Sequence, residues 1–250
     1  MTVLRRRWSE VQVALMLLTR LPAGRLGEPV PTLAQAAWAF PLAGLAVGGV
    51  VAGVMAVGQA LGWSAAVAAG VAMVAGLLAT GGLHEDGLGD VADGFGGGHT
   101  RERKLEIMKD SRLGSYGAIA LVMALGLRWL LLAQAGTPWR IVALAVASRA
   151  LLVAALALMP AARSDGLGRS ASGVGVWRLA VGLGLGGAVL LGWLGVLAGL
   201  AAGLGMVLAV ALMGWVACRQ IGGQTGDVLG AMQLIGEIAG WLALVSLPSA

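Results

Sequence analysis

From residue 179 to residue 217 the chain carries neither a charged side chain nor a proline. A bilayer-crossing helix needs about 20 apolar residues, so this stretch is long enough for two, at about 179–196 and 199–217. Comparable stretches lie at about 33–57, 63–83, 115–135, 141–160 and 228–247. In hydrocarbon every backbone N–H and C=O must find its partner inside the protein, and a helix does this within its own segment. The pattern therefore predicts an all-α fold. It is a polytopic membrane bundle of about seven transmembrane helices, forming one membrane-embedded domain over 1–250.

Composition agrees. Only 12% of the residues are charged and mean hydropathy is +0.88, against about 25% charged in a soluble domain. The single cysteine, Cys218, excludes an internal disulfide framework and a cysteine-built zinc site. The segment Trp8 to Leu21 carries Glu10, Gln12 and Arg20 and is too short to span, so it reads as an interfacial or partly buried helix stopped by Pro22. No cleavable leader is evident there.

The basic residues are unevenly placed. Apart from Arg128, Arg140 and Arg149, all 17 fall in 1–32, 84–114, 161–178 or 218–227. The positive-inside rule puts those segments in the cytoplasm and the C-terminal tail on the far side. The net charge of +5 is thus read as a topology signal, and no nucleic-acid partner is expected. The glycines of the spans are read as close helix packing in lipid.

One region breaks the apolar pattern. It runs from His84-Glu85-Asp86-Gly87-Leu88-Gly89-Asp90-Val91-Ala92-Asp93 to Lys109-Asp110-Ser111-Arg112. Glu85, Asp86, Asp90, Asp93, Glu102, Glu106 and Asp110 are seven of the chain's twelve acids, and both histidines, His84 and His99, lie here. Asp86, Asp90 and Asp93 stand at i, i+4, i+7, within an arc of about 60° on one helix face. Three carboxylates so placed repel one another, and a hard divalent cation such as Mg²⁺ or Mn²⁺ relieves that. Glu85 points about 100° away from Asp86. Gly87, Gly89 and Gly94 leave room for a ligand. The basic residues that follow, Arg101 to Lys104, Lys109 and Arg112, complete the metal-plus-cation arrangement that holds a pyrophosphate. Arg149 and Glu237 lie inside spans, where an ionisable group is a functional candidate by default. Asp165 reads as a solvated loop residue. In Gly222 to Asp227, Thr225 or Asp227 could cap the last helix, or the backbone could meet an anion.

These residues resemble the cobalamin synthase family, adenosylcobinamide-GDP ribazoletransferases. The resemblance is densest from Gly81 through Phe95 and on through Arg103, Leu105 to Arg112, Gly114 and Gly117. It extends to Leu18 to Pro22, Phe40-Pro41-Leu42, Ser148-Arg149, and Gly222 to Ala231 with Glu237. Two positions depart: the family usually has an apolar residue where Glu85 stands, and often a further glutamate near Leu234.

The resemblance implies a Mg²⁺-dependent enzyme of the bacterial cytoplasmic membrane that joins adenosylcobinamide-GDP to α-ribazole or its 5′-phosphate and releases GMP. It assigns the metal to Asp86, Asp90, Asp93 and Glu237. Catalysis falls to Asp93 (accepting the hydroxyl proton), Asp90, Lys109 and Arg112. Substrate contacts fall to His84, Arg149, Asp110, Thr225 and Asp227. The oligomeric state is left open, a homo-oligomer included. Two rivals are weighed against it. A CDP-alcohol phosphotransferase would carry an Ala-Arg pair where this chain has Asp90-Val91. A cation-coupled transporter would place its ionisable groups at the bilayer midplane.

Overall fold

A computed structural model describes residues 2–163 and 173–248; Asp165 and Arg169 lie outside them. Among the described residues the regular structure is helical. The elements are α1 (Val3–Leu18), α2 (Leu33–Ala36), α3 (Phe40–Ala60), α4 (Ala65–Thr80), α5 (Leu83–Gly97) and α6 (Arg101–Ile107). They continue with α7 (Ser115–Ala135), α8 (Pro138–Leu158), α9 (Val176–Leu194), α10 (Val196–Ile221) and α11 (Gly226–Val245). A 3₁₀ turn, Ala37–Ala39, joins α2 to α3.

Local chemistry starts and stops these helices. Thr2, Ser64, Thr100 and Thr225 cap α1, α4, α6 and α11 by accepting a backbone N–H three residues on. Thr32 and Gln35 form a reciprocal capping box at α2. Gly195, at φ 78°, breaks the long apolar stretch into α9 and α10.

Six helices, counting α2–α3 as one, are long and apolar enough to cross a membrane. The α4–α5 pair passes only jointly and is bent by 86°. The bend is made at Gly81 and Gly82, both left-handed at φ 69° and 70°. We take α4 as the seventh crossing and α5, with four acids in one short helix, as lying across the end of the bundle. A helix stands at each of the seven expected spans, with ends moved by a few residues; six pass alone and the seventh only as part of the bent pair.

Burial sorts the spans. Helices α8 and α11 are mostly enclosed, whereas α7, α9 and α10 turn Ile119, Val122, Leu200, Leu204 and Leu208 outward. An apolar exterior over an apolar interior is what a lipid solvent requires. Helix α3 packs closely on α8: a side chain on Gly48 would come within 2.9 Å of the Val142 backbone. The N-terminal helix is docked, not loosely interfacial. Glu10 is fully buried, pairs with Arg7 at 2.7 Å and accepts the Trp38 indole N–H.

The loops meet at one end. Arg101 of α6 donates to Ile221 O at the end of α10 and to Ala162 O after α8. Arg163 donates to Leu105 O of α6, and Arg20 N donates to Ala79 O of α4. A single parallel bridge joins Ala161 to Gln224. The described parts of the four basic segments therefore meet at one end of the bundle, and α5 lies among them.

Candidate functional site

Helix α5 is seated by glycines. A side chain on Gly87 would strike Asp227 O at 2.6 Å, and one on Gly94 would strike Met108 of the 101–108 turn. Gly89 faces Leu113 and Leu121. Gly87 and Gly94 let helices approach one another, while Gly87 and Gly89 also line the cavities beside α5, in keeping with their reading as room for a ligand. The Gly96-Gly97-Gly98 triplet continues and ends α5 and packs on Tyr116, Ile107 and Lys104.

The close approach at Gly87 sets the start of α11 beside α5. Asp90 then feels Asp86, Asp227 and Asp93. Partial burial, followed by those three charges, pushes its carboxyl up to about 7. Asp86 and Asp90 line a cavity of about 310 Å³ together with Lys109, Asp110 and Arg112. Three acids and two cations of the predicted set therefore share one basin. Asp110 and Arg112 face each other there as an exposed ion pair at 2.6 Å. Hydrogen bonds from Arg112 hold the Asp110 carboxyl down at about 2.

Asp93 does something else. Its Oδ2 accepts Gly114 N–H at 2.7 Å and its Oδ1 accepts Gly117 N–H at 2.8 Å. Both oxygens cap the start of α7, whose own N-cap residue, Gly114, has no side chain to offer. The carboxylate is 92% shielded from solvent, at 8% exposure. Asp93, expected as proton acceptor and metal ligand, is here the side chain that ties α5 to α7. Gly114 and Gly117 are required because a Cβ at either would collide with that carboxylate.

The buried charges form a separate group. Arg128 of α7 reaches Glu85 at 3.0 Å and Glu237 at 2.8 Å. Gln233 donates to Glu237 at 2.8 Å and to Ser148 at 2.9 Å. Glu237, expected as a metal ligand, here belongs to an ionic group linking α5, α7 and α11. Glu85 is explained at the same time: it answers Arg128 and does not join Asp86. Arg149 is 1% exposed, donates to Ala145 O of its own helix, and sets its charge against Glu237 and Glu85. Expected as a phosphate contact, it does not line the basin of Asp86 and Asp90. Arg128 was missed as a site residue; its place inside a span was the available signal.

Thr225 caps α11 and its hydroxyl donates to Asp227 at 3.2 Å. Arg163, also missed, approaches Asp227 at 3.8 Å. His84, 2% exposed, lines a second cavity with Asp86 and Asp227. Leu234, where a further acid was sought, is fully buried in the core.

Among the described residues no three His, Cys, Asp or Glu side chains converge closely enough to hold an ion unaided. Mg²⁺ is commonly held by one or two carboxylates, with water and substrate phosphate completing its shell. Asp86 and Asp90, one turn apart on the basin wall, fit that lesser requirement. The surplus negative charge that protonates Asp90 near neutrality is charge that a cation would offset.

Fold and site define a multi-pass helical membrane protein with a charged basin at one end. Comparison with known proteins identifies the family. Residues 10–245 match the model of the cobalamin-5-phosphate synthases. The chain is 46% identical over 234 residues to an adenosylcobinamide-GDP ribazoletransferase of Mesorhizobium japonicum, covering 92% of this chain and 90% of the relative. It is 44% identical to the one from Bradyrhizobium diazoefficiens, with 92% and 90% covered, and 40% identical to that of Chlorobaculum tepidum, with 94% of each covered. The chain belongs to the cobalamin-5-phosphate synthase family. No solved structure matches it.

Proposed function

We propose that this protein joins adenosylcobinamide-GDP to α-ribazole, or to its 5′-phosphate, and releases GMP. It does so in the bacterial cytoplasmic membrane with Mg²⁺ as cofactor and with the basin facing the cytoplasm. The observation that carries this reading is the basin itself, where Asp86 and Asp90 stand with Lys109 and Arg112 in one cavity. In a chain of this family, such a set suits a diphosphate ester, whose oxygens need both cations and a metal. The orientation rests on the concentration of arginine and lysine at that end.

In the transfer, a ribazole hydroxyl oxygen bonds to the phosphorus that carries cobinamide. The bond from that phosphorus to the GMP oxygen breaks, GMP leaves with the electron pair, and the hydroxyl proton passes to water in the open basin. Asp86 and Asp90 would hold Mg²⁺, which supplies charge neutralisation for the departing phosphate. Lys109 and Arg112 pair with phosphate oxygens. Arg112 exchanges Asp110 for phosphate at little cost, because the pair is solvent-exposed.

The test is direct. Membranes bearing the protein are incubated with adenosylcobinamide-GDP, either form of ribazole, and Mg²⁺, and GMP is measured. GMP formation that stops on chelation supports the reading; no GMP with either acceptor overturns it.

A further inference from the structure

The ribazole acceptor has two chemically unlike ends: a dimethylbenzimidazole base, flat and apolar with one free ring nitrogen, and a polar ribose. Beside the basin lies a second cavity of about 100 Å³, walled by Leu17, Leu33, Phe40, Leu152, Leu156 and Leu229. Its polar lining side chains are His84, Asp86 and Asp227. Asp86 also lines the charged basin, so the two cavities meet at one carboxylate. His84 is 2% exposed, and among the described residues its Nε2 has no hydrogen-bond partner. A buried polar atom left unpaired is costly and calls for a ligand atom.

We infer that this cleft is the subsite for the benzimidazole base, with His84 Nε2 bonded to its free ring nitrogen and the ribose hydroxyls directed past Asp86 into the basin. The inference rests on the proposed function and names where its acceptor sits. Size excludes the corrin ring, which is far larger than the cleft. Guanine could set its N–H edge on a carboxylate and one acceptor on His84, but its other acceptor would face leucines unpaired. A base with one acceptor nitrogen and two methyl groups leaves nothing unpaired there.

Leu33, Leu17 and Leu229 are partly exposed, so enlarging them fills the cleft with little risk to the core. Binding of α-ribazole to the full-length protein in lipid nanodiscs is measured by the intrinsic fluorescence of its base, with no turnover required. Leu33→Trp and Leu229→Trp are expected to weaken binding about tenfold or more, a large loss for a filled apolar pocket. His84→Leu is expected to weaken it as well, and His84→Gln, which keeps a donor, to recover part of the loss. In turnover assays these variants raise KM for α-ribazole and leave KM for adenosylcobinamide-GDP in place.

Unchanged α-ribazole binding in both tryptophan variants overturns the inference. So does a rise confined to KM for adenosylcobinamide-GDP, which would give the cleft to guanine. Phospholipid that displaces bound α-ribazole from the cleft would give it to an acyl chain, and overturns the inference too. None of these outcomes touches the proposed function, which fails only if the unaltered protein releases no GMP.

Discussion

Glu85 and Asp86 are neighbours in sequence and have opposite fates. One helical step of about 100° sends Glu85 inward to Arg128 at 3.0 Å and Asp86 to the wall of an open basin. The inner face of α5 is built from charges that are already answered: Glu85 and Glu237 on Arg128, with Gln233 bridging to Ser148. The outer face is built from charges in surplus, which together with partial burial push Asp90 up to about 7. A charge with its partner in place holds structure; a charge lacking one is free to meet a cation or a substrate. Acid count alone does not separate the two.

The sharpest way to break this contrast is to remove Arg128. Both Glu85 and Glu237 would then lose their direct ion pair and share only the more distant charge of Arg149, a change that costs about 3–5 kcal/mol. Arg128→Ala should lower the melting temperature strongly in detergent or nanodiscs. Adding Glu85→Leu to Arg128→Ala should return much of the loss, because the one acid left in this group, Glu237, then faces the one cation left beside it, Arg149. A variant as stable as the parent would show that the inner group is not the lock described here.

On the outer face the loss should appear in rate. Asp86→Asn or Asp90→Asn removes charge from the metal-holding pair, and GMP release should fall by about 10²–10³-fold, the usual scale for losing one preorganised electrostatic group, with little change in melting temperature. Asp93→Asn is the counterpart. It loses one of two acceptors for the α7 backbone and should cost about 1–3 kcal/mol of stability while keeping the Mg²⁺ dependence of the parent. If Asp93→Asn instead shifts the Mg²⁺ requirement and leaves stability alone, the two roles are reversed.

The bundle was legible in the sequence because lipid imposes one rule on every span, and apolar length reports it directly. The i, i+4, i+7 acids were legible as a helix face, and two of the three do line the basin. Asp93 was not separable from them, because its role depends on Gly114 and Gly117, and no spacing within α5 encodes that contact. Glu85 looked like an oddity for the same reason. Its partner is Arg128, 43 positions away, and only the packing of α5 on α7 joins them. The apolar cleft beside His84 was likewise invisible, since its walls come from α1, α2, α3, α5, α8 and α11.

The gentlest test is pH. Without metal, partial burial and then the neighbouring carboxylates hold the Asp90 proton up to about 7, against 3.8 ordinarily. A proton kept by the fold and released only above about 7 must leave when Mg²⁺ arrives. Apparent Mg²⁺ affinity should therefore be flat above about pH 7.5 and fall about tenfold per unit below about pH 6.5, the slope of one displaced proton. Stability of the metal-free protein should run the other way. The raised carboxyl favours the fold at low pH, and that contribution is lost as pH climbs through about 7. Asp90→Asn should flatten both profiles, while Asp110→Asn, whose carboxyl is held at about 2 by Arg112, should leave both as they were. An Mg²⁺ profile without a step between pH 6 and 8 would mean that the cation does not meet Asp90, and the surplus charge on the outer face would need another ligand.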